Sequence, residues 1–168
     1  AVALVHRQTT ADRDRGARLL AEVSDAFVRQ GYMLSELPLV DVFLAREVSR
    51  SGSRGQAIPR MRAVVDQLFR EERLLGWGIP TTGVLVETLL DRGADGDVAE
   101  AEAAIDRLAY AQAEPGLAAR DIWVLKLRTL LARVRGDTVG YRGLRDRYRE
   151  MANTLGFEGH LEWSEAMP

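Results

Sequence analysis

Apolar residues recur along this chain at helical spacing and almost nowhere in strict alternation. Leu20, Val23 and Phe27 predict a first helix over about residues 12–30. Leu37, Val40, Leu44 and Val48 predict a second, ending at "SRSGSRG". Met61, Val65 and Leu68 predict a third, with Pro59 in its first turn and an end near "GWGIP". Leu85 and Leu89 mark a fourth, stopped by Gly93. Val98, Ala101, Ile105 and Leu108 mark a fifth, with Asp97 as N-cap and Pro115 and Gly116 after its end. Trp123, Leu127, Leu130 and Val134 mark a sixth, stopped by Gly136. Leu144, Tyr148, Met151 and Leu155 mark a seventh, stopped by Gly156. Hairpin-turn dipeptides between alternating runs are missing, so the expected fold class is all-α.

The helices also echo one another. "TLLDRGADGD" at 88–97 parallels "TLLARVRGD" at 129–137, and the two Gly-Asp pairs stand 40 residues apart. "FLAREVSRSGSRGQ" at 43–56 is a weaker third instance. This pattern predicts antiparallel hairpins 37–52/56–75, 80–93/97–113 and 117–135/138–155, stacked as a short tetratricopeptide-like solenoid. The period is longer than the usual ~34 residues. The chain then reads as one helical-repeat domain over 1–168. Within it, 1–35 is a leftover helix whose hairpin partner would lie upstream, 36–155 holds three hairpins, and 156–168 is a C-terminal cap.

The cap is argued from "LGFEGHLEWSEAMP". Gly156 suits a left-handed helix terminus, and Phe157 would pack back on Met151. His160, Trp163 and Met167 fall on one face of a short amphipathic turn, which would close the open end of the stack. Phe157 and Trp163 are expected to be substantially buried, with His160 contributing less. As a metal site the segment fails, because Glu158, His160 and Glu162 alternate and His160 would face away from the carboxylates in a helix.

Composition narrows the chemistry further. Net charge is -2 and cysteine is absent, which argues against nucleic-acid or anionic-membrane partners and excludes thiolate metal sites. The 23 basic residues include a single lysine, Lys126, which leaves 22 arginines. Lys126 sits in "VLKLRT" with no glycines before it, so no P-loop is present. "GSRGQ" at 52–56 fits a helix–helix loop, and His6 and His160 stand near opposite ends of the chain. No catalytic, cofactor-binding or metal-binding residue is therefore assigned. The acids Asp91, Asp95, Asp97, Glu100 and Glu102 suit a helix N-terminus, and Glu87 with Asp91 suits an exposed face. Arg142, Arg145 and Arg149 share a face that Asp146 and Glu150 interleave, with Arg142–Asp146 at salt-bridge spacing. Trp77, Tyr110, Trp123, Tyr141 and Tyr148 are candidates either for the lining of a concave ligand groove or for packing between helices.

Residues 132–168, and most specifically "MANTLGFEGHLEWSEAMP", resemble the extreme C-terminus of actinobacterial multidomain class III adenylate and guanylate cyclases. Those proteins carry a cyclase domain, an AAA-like ATPase module and a long helical-repeat region. "LLDRGADGDVAEAEAAIDRLA" has the same repeat character, and the likeness fades before residue 70. The resemblance implies that this chain is the terminal, non-enzymatic piece of a cytoplasmic cyclase in cyclic-nucleotide signalling. The absent initiator Met and the unpaired first helix fit that expectation. No cyclase metal-binding aspartate, substrate-selecting lysine or Walker motif maps onto these residues. The implied partners are another protein or the parent's own cyclase and ATPase modules, with a small ligand as a further option. Related ATPase–repeat proteins end in a LuxR-type DNA-binding domain. The same module in such a transcriptional regulator, a small-ligand sensor and an enzyme with an unfamiliar helical active site are the alternatives.

Overall fold

The structure is a computed structural model that describes residues 1–5, 9–50, 52, 54–111 and 117–167. The described residues are helical, with no strand among them. The helices are α1 (Val2–Val5), α2 (Thr10–Gln30), α3 (Leu37–Arg50), α4 (Arg54–Arg70), α5 (Ile79–Arg92), α6 (Asp97–Tyr110), α7 (Ala118–Val134), α8 (Thr138–Leu155) and α9 (Glu158–Glu165). No described helix is long and apolar enough to cross a membrane. The chain forms two compact units, 1–88 and 89–168, and the division falls inside α5. The expected pairing of 80–93 with 97–113 therefore runs across that division.

In the first unit, α2 packs on α1 and α3, and α3 packs on α4. Thr9 caps α2 by accepting from the Asp12 N–H at 3.1 Å. The four-residue α1 is too short to show a period, so it was not expected. It seats Val5, fully buried, against Gly16, where a Cβ would come within 2.9 Å of both Leu4 and Val5. The loop expected at 52–56 is shorter than that, since α4 begins at Arg54. Pro59 consequently lies in the second turn of α4, where its ring removes one backbone hydrogen bond.

α4 ends with Glu72 in the left-handed conformation (φ 55°), the Arg73 N–H bonding to the Leu68 carbonyl and the Glu72 N–H to the Phe69 carbonyl. The glycines and proline of "GWGIP" do not break the chain here. Residues 74–78 form a π-helical turn that runs directly into α5. Helix α5 is buried around its circumference, from Thr81 through Leu85 to Leu89. Its threonines tolerate burial because each bonds a carbonyl one turn back: Thr82 to Gly78 at 2.6 Å and Thr88 to Val84 at 2.7 Å. Glu87, expected on an exposed face, is instead 3.2 Å from Arg46 of α3, with only 12% and 9% of the two side chains exposed.

In the second unit, α6 packs on α7, α7 on α8, and α8 on α9. Asp97 does not cap α6; Gly96, at φ 86°, occupies that position. The Asp97 carboxylate is 1% exposed and turns back to accept from Arg92 Nε at 2.8 Å and from the Ala94 N–H at 2.9 Å. The second Gly-Asp pair does different work. Gly136, at φ 73°, ends α7, and Asp137 caps α8 by accepting from the Gly140 N–H at 2.9 Å. The expected helix end at Pro115 and Gly116 lies outside the described residues.

Two substitutions test these local arguments by chemical denaturation. Removing one partner of a fully buried pair costs ~3–5 kcal/mol. Arg92 keeps 25% of its side chain exposed, so Asp97→Ala is expected to cost about 2–3 kcal/mol. Glu72→Gly relieves a left-handed Cβ and is expected to stabilise by about 0.5–1 kcal/mol.

Candidate functional site

Two features of the second unit stand out, and α7 carries both. The first is the tail. Helix α8 ends in a Schellman turn: Gly156 is left-handed at φ 66°, its N–H bonds the Asn153 carbonyl, and the Phe157 N–H bonds the Ala152 carbonyl at 3.0 Å. This turn folds α9 back so that Phe157, Leu161 and Met167 pack on a core of Ile122, Tyr148 and Ala152. Phe157, His160 and Trp163 are each half-buried rather than fully enclosed.

His160 is central to this cluster. Its Nδ1 shares a 2.8 Å hydrogen bond with the hydroxyl of Tyr148, which is fully buried. Its ring meets Trp163, Trp123 and Tyr148 edge-on, with centroids at 5.0, 5.4 and 5.7 Å. His160 was expected to contribute less than Trp163 or Gly156 unless its ring were buried, and these contacts half-bury that ring. Lys126, the lone lysine, points into the same cluster and is 5% exposed. Its Nζ lies 3.6 Å from the Trp163 ring centre and 4.6 Å from that of Trp123. The negative faces of two indoles thus stand in for part of the hydration that the ammonium has lost. A sequence signal for this existed, since Trp123 precedes Lys126 by one helical turn.

The second feature is a cleft of about 460 Å³ on the surface of the unit. Its floor is α7, through Val124, Leu125 and Arg128. One wall is the end of α6, where Tyr110 is 82% exposed. The other is α8, through Leu144, Arg147 and Met151. Leu144 and Arg128 also line a second cleft of about 240 Å³ that continues along α7 to Arg135.

Most charges in these clefts are matched within the chain. Arg135 reaches both oxygens of Glu102 at 2.5 and 2.8 Å, Arg128 lies 3.4 Å from Asp106, and Arg120 lies 3.0 Å from Asp121. The hydrogen bond from Arg135 holds the Glu102 carboxyl below its ordinary value of 4.5. Arg147 has no hydrogen-bond or ion-pair partner among the described residues.

The four candidate aromatics of the second unit do not converge on one groove. Trp123 and Tyr148 join the tail cluster, Tyr110 borders the cleft, and Tyr141 is buried with the Arg145 guanidinium 5.8 Å from its ring. Trp77 belongs to the π-turn of the first unit. Arg145, not Arg142, is the partner of Asp146 at 3.3 Å, while Arg149 reaches Glu165 of α9 at 3.4 Å. Among the described residues no group of three or more His, Asp or Glu side chains is placed to hold a metal ion.

Three variants rank the tail contacts by thermal and chemical melting. Removing a core aromatic costs ~3–5 kcal/mol, so Trp163→Ala, half-buried but also facing Lys126, is expected to cost about 2–4. His160→Ala should cost about 1–2 kcal/mol through the lost Tyr148 bond and ring contacts. Gly156→Ala should cost about 1 kcal/mol through the strained Cβ. A chelator should shift none of them; a chelator-sensitive melt would contradict this ranking.

The Glu102–Arg135 pair gives a separate pH expectation. The lowered folded pKa of Glu102 means that its stabilisation is present above about pH 4.5 and lost as pH falls through the lower folded value. Glu102→Gln should therefore flatten the acid limb of the stability profile slightly, and less so at high salt.

No family model, no curated protein and no solved structure matches the chain, so the tail cluster and the cleft stand on their own geometry.

Proposed function

We propose that this chain is a non-catalytic, tetratricopeptide-like regulatory domain of a cytoplasmic adenylate or guanylate cyclase. Its helical surface would bind another protein or the parent's own cyclase and ATPase modules. One observation supports the reading most: consecutive helices are packing neighbours within each unit, α3 with α4, α6 with α7 and α7 with α8. A stack of helical hairpins is built from such neighbours. The resemblance of residues 132–168 to cyclase C-termini supplies the parent. In such a protein the domain acts by binding one of two states of the parent better than the other, since a ligand with equal affinity for both shifts nothing.

Two measurements test the proposal. The purified chain, incubated with ATP or GTP and a divalent cation, is expected to form no cyclic nucleotide. Deletion of this segment from the full-length cyclase is expected to change cyclic-nucleotide output several-fold while the catalytic domain stays folded. Turnover by the isolated chain, or unchanged output after deletion, would contradict it.

A further inference from the structure

The cleft over α7 has three properties that together describe an occupant. The first is charge. Arg128, Arg135, Glu102, Asp106 and Asp121 all have partners of opposite sign, whereas Arg147 has none among the described residues. One open guanidinium suits one carboxylate, which it binds in a fork. A polyanion would instead call for several free cations along one track.

The second property is apolar surface beside that charge. Leu125, Leu144 and Met151 are each partly buried and line the cleft together with Arg147. Tyr110 stands across from them with most of its ring in water. Tyrosine in such a place offers a large, stiff contact area at small entropic cost.

The third is length. The two clefts share Arg128 and Leu144, and together they follow α7 from Asp121 to Arg135. At 1.5 Å per residue this run is about 21 Å long. An extended strand rises ~3.3 Å per residue, so about six residues fit. A compact metabolite would occupy only part of it.

We propose that this cleft binds an extended protein segment carrying an aspartate or glutamate next to a large apolar side chain. Arg147 takes the carboxylate, and the apolar side chain lies over Leu125 and Met151 opposite Tyr110. The inference rests on the reading of the chain as an interaction module and names the chemistry of its partner. In the hairpin stack proposed above, the walls are the second helices of neighbouring hairpins, with a first helix as the floor.

Fluorescence anisotropy of the whole chain with labelled hexapeptide pools tests it. Three pools carry Glu-Leu, Gln-Leu or Lys-Leu at their centre, with Ala, Ser and Leu mixed elsewhere. The Glu pool is expected to bind roughly tenfold more tightly than the Gln pool, as a charge-assisted hydrogen bond implies. Arg147→Ala should remove that advantage, and Arg147→Glu should transfer it to the Lys pool. Tyr110→Ala should weaken binding of the Glu pool. Arg142→Ala, on the same helix but not lining either cleft, should leave it unchanged. Both Arg147 and Tyr110 are exposed, and circular dichroism of each variant checks that the fold is kept. The proposal is overturned if no pool binds, if Glu and Gln pools bind alike, or if the Glu advantage survives Arg147→Ala. Such a failure would leave the regulatory reading standing wherever deletion of the segment still alters cyclase output.

Discussion

A lysine ammonium held almost entirely out of water is the constraint on which the second unit depends. Burying a charge costs several kcal/mol unless something replaces its hydration. For Lys126 that replacement includes two indole faces, and they come from different helices. Trp123 sits on α7 one turn before the lysine, but Trp163 arrives only if α9 folds back. The return of α9 in turn requires a sharp end to α8, which the left-handed Gly156 supplies. Charge burial, aromatic packing and helix termination are thus one connected device. Loss of the last helix would expose the lysine, Tyr148 and Ile122 together.

That device also explains why α7 is a poor amphipathic helix. Ile122 faces the tail core and Lys126 the indoles, while Val124, Leu131 and Ala132 turn towards the clefts. A helix covered on several sides has no single apolar stripe. With the tail packed on one side of it, α7 forms the floor between α6 and α8. The Arg128–Asp106 and Arg135–Glu102 pairs cross from α7 to α6, and as exposed pairs they contribute geometry more than stability. Among the described residues Arg147 has no partner and stands beside apolar surface, which is the arrangement on which the recognition proposal is built.

Much of the helix pattern was legible because long amphipathic segments repeat a period that few other structures share. From α2 to α8 the expected and observed ends agree within a few residues, except where glycine or proline misled. The run "GWGIP" reads as a break, yet Gly78 and Pro80 are accommodated in a π-turn and the first turn of α5. The repeated Gly-Asp pair reads as one structural signal used twice. In fact Gly96 opens a helix while Gly136 closes one, because Gly93 had already ended α5. Glu87 looked exposed because its partner Arg46 lies 41 positions earlier, and sequence spacing carries no sign of such a contact.

The left-handed turn at Gly156 and the packing of Phe157 and Trp163 were legible, because both follow from local geometry. The burial of Lys126 was not legible beyond the hint of Trp123 one turn before it, because a lysine on a helix is ordinarily a solvated one and only the fold brings Trp163 to it. The cleft was not legible either, since its walls come from three helices and its open charge is defined by which neighbouring charges are already paired.

Because Lys126 is the sole lysine, lysine-selective isotope labelling gives a single side-chain signal, and that signal reports the central claim directly. Held against two indoles, the Lys126 ε-methylene protons are expected to resonate well upfield of an unstructured lysine, and Trp163→Ala should return them most of the way. A wild-type signal at the unstructured position, unmoved by Trp163→Ala, would show that the tail does not enclose the lysine and would contradict the account of how this unit is held together.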